Sequence, residues 1–88
     1  MRIELLLIGD ELLTGKLDPY PGEMIRAVRE KGAIVSRLAI ATDDVEMIVE
    51  ELAGSEKRRT TLLVVTGGLG PTLDDVTRKA VASYLGVE

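Results

Sequence analysis

The stretch Leu62-Leu63-Val64-Val65-Thr66-Gly67-Gly68-Leu69-Gly70-Pro71-Thr72-Leu73-Asp74-Asp75-Val76-Thr77 decides the fold. A short run rich in β-branched residues reads as a strand. The glycines and Pro71 break it. A helical pattern follows, with Val76, Ala80, Val81 and Tyr84 available for packing and Gly86 as its stop. A strand, a glycine-rich turn and a helix start form one βα unit. The backbone of such a turn can approach a ligand without a Cβ in the way. The helix start offers free N–H groups and a partial positive charge to an anion.

Two similar units precede it. The run Leu5-Leu6-Leu7-Ile8 is apolar at consecutive positions, as in a strand covered on both faces, and predicts a strand over 3–8 that Gly9 ends. Residues 10–22 read as a loop with a turn of helix at 11–13. Pro21 suits the first position of a helix running to Lys31, with Met24, Ile25 and Val28 on one face and Gly32 as its cap. A second strand is expected over 33–41, with Ile34, Leu38 and Ile40 sharing a face and Arg37 on the other. A helix starting at Thr42-Asp43 carries Val45, Ile48, Val49 and Leu52 at i, i+3, i+4, i+7 and is expected to end at Gly54. The third strand is expected over 61–65 and the last helix from near Asp74. The order βαβαβα implies an α/β fold of three layers, α-β-α, around a parallel sheet.

Composition narrows the chemistry. Eighty-eight residues make one small domain, and neither cysteine nor histidine is present. Disulfides, Cys/His zinc sites and Ser-His-Asp or Cys-His nucleophiles are therefore excluded. Fifteen acids against eleven bases, with two tyrosines as the only aromatics, argue against a nucleic-acid partner. The cluster Lys57-Arg58-Arg59 reads as a solvated loop. No run approaches a membrane span, and Glu4, Asp10 and Glu11 spoil any signal peptide, so the cytoplasm is the expected compartment.

In a parallel sheet, ligands bind beyond the carboxyl ends of the strands. All three loops expected there carry acids. Gly9 to Gly15-Lys16 is no Walker loop, because five residues separate the glycines and Leu17 follows Lys16. Gly68 and Gly70 match the dinucleotide fingerprint, but Leu73 stands where its third glycine belongs. Asp74 and Asp75 have two readings. With Thr72 they form a capping arrangement at a helix start, or they hold a divalent cation such as Mg²⁺ beside a phosphate. Asp43 is a helix N-cap, with Glu46 three residues on, or an acid presented at a strand end. Asp10 and Glu11 are solvated loop acids, or they contribute to the cation site or bind a ligand hydroxyl. Lys16 is a solvated lysine or reaches a phosphate.

The run from Thr66 to Thr77 resembles the signature of the molybdopterin-binding domain superfamily. It is most similar to the branch at the N-terminus of competence-damage-inducible proteins of the CinA type. Gly9-Asp10-Glu11-Leu12-Leu13-Thr14-Gly15 resembles that family's first motif, and Ala41-Thr42-Asp43-Asp44 its acidic position after the second strand. The resemblance implies a domain that binds a pterin or a nucleotide phosphate with Mg²⁺. Its relatives carry out adenylyl transfer from ATP to molybdopterin, or hydrolysis of the pyrophosphate in ADP-ribose-like nucleotides. By motif position Asp75 is the principal catalytic acid and Asp43 the second. Asp74 and Asp75 are the metal ligands. Thr66, Gly67, Gly68, Gly70 and Thr72 line the binding loop, joined by Glu11 and Lys16. The resemblance covers about the first half of the family's domain, so residues 1–88 read as its N-terminal part. Two expectations follow. The chain is a piece of a longer protein, or a second copy or another polypeptide completes it. It acts as an enzyme, or as a non-catalytic ligand-binding or assembly module.

Overall fold

A computed structural model describes residues 1–13, 20–67 and 76–86. Its elements are β1 (Ile3–Ile8), α1 (Asp10–Leu13), α2 (Tyr20–Glu30), β2 (Val35–Ala41), α3 (Val45–Lys57), β3 (Leu62–Thr66) and α4 (Val76–Leu85). The strands form a parallel sheet in the order β2-β1-β3. The chain steps from β1 to β2 in one direction and from β2 back across to β3 in the other. Right-handed crossovers then place the two connections on opposite faces, which makes the three expected layers.

β1 is the hub, and all six of its residues are buried. Leu6 and Ile8 meet Ala41 of β2, Ile48 and Leu52 of α3, and Val76 and Ala80 of α4 in one cluster. Ile3, Leu5 and Leu7 fill the other face, where Leu38 and Ile40 of β2 remain 39% and 37% exposed. Ile34 does not join them. It precedes the strand and is 69% exposed, so the expected third member of that row is lost.

The sixth buried residue of β1 is a carboxylate. Glu4 is 2% exposed. Arg58 grips it with two bonds, Nε to Oε2 at 2.7 Å and Nη2 to Oε1 at 2.9 Å. Arg2 adds Nε to Oε2 at 2.9 Å. The Arg58 guanidinium holds the carboxyl down at about 2, against the opposing push of burial and with help from Arg2. The pairing with β2 slips in register beside it. Ile3 pairs with Val35 but Glu4 pairs with Arg37, so Ser36 is an extra residue in β2. Arg37 then lies on the α3 side and reaches Glu51 at 3.1 Å.

Two sequence expectations fail around Arg58. Helix α3 does not end at Gly54 but runs on to Lys57. It closes with Arg59 at φ 57 and bonds from Arg59 N to Glu56 O (3.0 Å) and from Thr60 N to Ser55 O (3.2 Å), a Schellman turn. Gly54 serves space instead. A Cβ there would sit 3.0 Å from Arg58 Nη1, so the missing side chain lets the guanidinium fold back along the helix. The basic cluster is accordingly not all solvated loop, since Arg58 is the counter-charge of the core. The glycines at the other helix ends behave as expected, with Gly32 at φ 85 and Gly86 at φ 73. Among the described residues no helix is long and apolar enough to cross a membrane.

Because Glu4 titrates lower in the fold than in the unfolded chain, its contribution is present above about pH 4.5 and fades as pH falls towards 2. Glu4→Gln should remove that acid-dependent loss. Its arginine partners are 35% and 32% exposed, so water screens them, and the cost at pH 7 should be about 1–2 kcal/mol. Thermal melts of both proteins from pH 7 to pH 2 check this, with converging midpoints at the acid end as the expected outcome.

Candidate functional site

The carboxyl ends of the three strands are tied to one another by specific contacts. Past β1, Gly9 N donates to Ala41 O at 2.9 Å and carries the parallel ladder one residue beyond the strand. Asp10 and Asp43 then clasp. Asp43 N donates to Asp10 Oδ1 at 3.0 Å, and Asp10 N makes a longer contact of 3.5 Å to Asp43 Oδ2. Two exposed carboxylates, one after β1 and one after β2, thus meet at the same end of the sheet.

Asp43 is free for this because it is not the helix cap. The cap of α3 is Asp44, with φ −136 and ψ 120, and its side chain accepts from Glu46 N at 2.9 Å. The structure therefore removes the capping explanation of Asp43 that the sequence left open.

On the other side of β1, Thr66 closes β3 opposite Leu7. Gly67 follows at φ 88, in the left-handed region that favours glycine. A Cβ on Gly67 would stand 2.1 Å from the backbone oxygen of Ile8, so no other residue fits without moving β1. The Gly67 carbonyl accepts a 2.7 Å bond from the Thr77 hydroxyl in the first turn of α4. Thr77 is 5% exposed. One chain of contacts runs from Thr77 through Gly67 to Ile8, and then from Asp10 to Asp43.

Of the residues expected at the site, the described part places Asp43, Thr66 and Gly67 at the same end of the sheet. Glu11 lies in α1. Lys16, Gly68, Gly70, Thr72, Asp74 and Asp75 lie outside the described residues, and so does the expected start of the last helix. Among the described residues no three acids cluster as a metal site. Nothing in the sequence marks a partner for Gly67 or a role for Thr77. A threonine in a helical first turn carries no mark of a bond to a carbonyl ten residues earlier.

Residues 4–88 match the family described as "Probable molybdopterin binding domain". A CinA-like protein of Amoebophilus asiaticus is 43% identical over 97% of this chain, and one of Chlorobium phaeobacteroides is 39% identical over all of it. Each match takes up 21% of the relative's length. Among solved structures, the protein CinA of unknown function from Thermoplasma acidophilum superposes with a TM-score of 0.87 at 27% identity, over 97% of this chain and 50% of that one. A molybdopterin biosynthesis protein from Mycobacterium abscessus gives a TM-score of 0.86 at 22% identity, over 93% of this chain and 52% of that one, and shows the fold alone.

Gly67→Ala should be far more damaging than Gly32→Ala. Both glycines have positive φ, but a Cβ at Gly32 meets nothing within 4 Å. Gly32→Ala should cost about 1 kcal/mol, the strain of a left-handed alanine. Gly67→Ala adds a backbone collision and should cost at least about 3 kcal/mol. Denaturant titration of the two variants reads the difference.

Proposed function

The chain belongs to the molybdopterin-binding domain family, and on that footing we propose that it holds a molybdopterin-type pterin or a phosphate-bearing nucleotide at the carboxyl end of its sheet. The observation that carries this reading is the convergence of Gly67, which only glycine can occupy, with Asp10 and Asp43 at the same end. A close backbone approach suits a flat ring or a phosphate. Two exposed carboxylates beside an anionic ligand suit a cation between them.

The donor set is oxygen only, which fits Mg²⁺ and excludes soft-metal chemistry. Asp75 and Asp74, with Asp43, would hold it, and the ion would offset negative charge on phosphate oxygens. In the enzymatic form of the proposal Asp75 and Asp43 are the catalytic acids. The reaction is adenylyl transfer or hydrolysis of a nucleotide pyrophosphate. Thr66, Gly68, Gly70, Thr72, Glu11 and Lys16 complete the ligand contacts. A second reading is a module that binds without turnover; the chain spans about a fifth of the length of the CinA-like relatives it matches. Assembly belongs to the same proposal, because β3 has no strand beyond it among the described residues and Leu62 on it is 49% exposed. Light scattering that reads a dimer mass supports this part, and a monomer mass removes it.

Calorimetry with molybdopterin, ATP and ADP-ribose, each with and without Mg²⁺, tests the reading, with a turnover assay alongside. The expected result is binding of at least one of the three that Asp43→Ala weakens by about tenfold or more and that EDTA lowers. Binding without turnover selects the module. Absence of binding at millimolar concentration of all three refutes the proposal.

A further inference from the structure

We propose that Thr77 is a positioning residue for this site, acting through Gly67 rather than by touching a ligand. The proposal rests on the binding reading above, and its geometry stands in the described residues. A threonine in a helix ordinarily turns its hydroxyl to the carbonyl three or four residues back. Thr77 instead donates to Gly67 O, ten residues earlier, at 2.7 Å. The bond is sheltered, since Thr77 is 5% exposed. The bond joins two elements, the end of β3 and the start of α4.

Gly67 is thereby fixed on two sides. Its Cα lies against the backbone of Ile8, close enough that a Cβ would fall 2.1 Å from the Ile8 oxygen. Its carbonyl points to Thr77. With β1 on one side and α4 on the other, Gly67 has little freedom to rotate its peptide. A backbone position set before binding removes ordering cost from the bound state. The valine isostere keeps Thr77's shape and burial but cannot donate. It leaves the Gly67 carbonyl without its partner.

Three variants separate positioning from mere stability. Thr77→Val deletes the hydroxyl, Thr77→Ser restores it, and Tyr84→Phe removes the bond from Tyr84, further along α4, to Glu56 of α3. Each is measured well below its thermal midpoint, where every protein is folded. The probe is whichever of molybdopterin, ATP or ADP-ribose the unsubstituted chain binds. Thr77→Val should weaken binding about five- to tenfold, the scale of one lost hydrogen bond. Thr77→Ser should bind within about twofold of the parent, and Tyr84→Phe should lower the midpoint with no change in affinity. Unchanged affinity in Thr77→Val, or failure of Thr77→Ser to restore it, overturns the proposal. A ligand-free readout keeps the two levels apart. The carbonyl ¹³C shift of Gly67 should move upfield in Thr77→Val and return in Thr77→Ser. If that shift moves while the parent binds none of the probes, the binding reading is what has failed. If the shift does not move, the link itself is wrong.

Discussion

Burying a carboxylate in the central strand of a parallel sheet constrains the molecule from the first residues onward. Glu4 sits among five apolar neighbours in β1, where an unpaired charge would be intolerable. The chain meets it twice, with Arg2 from just before the strand and Arg58 from just beyond α3. Arg58 reaches it from a helix that runs past Gly54, and the missing side chain at Gly54 leaves room for the guanidinium. The bulge at Ser36 belongs to the same arrangement, since it sets the register in which Arg37 flanks Glu4. A single buried charge thus draws on residues before the strand and beyond a helix.

The consequence for the opposite end of the sheet is indirect but physical. At the amino end of the strands Arg2 and Arg58 turn to the core carboxylate. At the carboxyl end Asp10 and Asp43 stand in the open with no guanidinium described against them, at the same end of the sheet as a glycine pressed onto β1. Topology sends all three strand-to-helix connections to that end. The same layout is what a chain needs to offer backbone and carboxylates to a cation-bridged anion. Similarity to solved relatives extends the fold but covers only about half of each of those chains.

Periodicity and punctuation made much of the fold legible. β1 has the bounds that its apolar run implies, and α3 packs through the Ile48 and Leu52 that the i, i+4 spacing picks out. Gly32 and Gly86 stand where a helix must turn left-handed. The failures share a cause, which is that each depends on a distant partner. Gly54 reads as a stop unless Arg58 is known to lie over it. Arg58 reads as solvated unless Glu4 is known to be buried beneath it, although a glutamate inside an apolar run is itself a signal that a counter-charge must arrive. Asp43 and Asp44 are interchangeable as caps in sequence, and the extended backbone of Asp44 with its bond from Glu46 N decides between them. Thr77 had no signal at all, because a hydroxyl-to-carbonyl bond across a loop leaves no periodic trace.

The account stands on the claim that the ends of β1, β2 and β3 form one ligand surface. Mapping amide shifts while titrating ADP-ribose and Mg²⁺, and separately molybdopterin, into the isotope-labelled chain tests that most directly. The amides of Gly9, Asp10, Asp43 and Gly67 should shift together, with a common saturation, while those around Glu4 and Arg58 stay in place. Shifts centred on Arg2 and Arg58 instead, or confined to only one of the three strand ends, would contradict it.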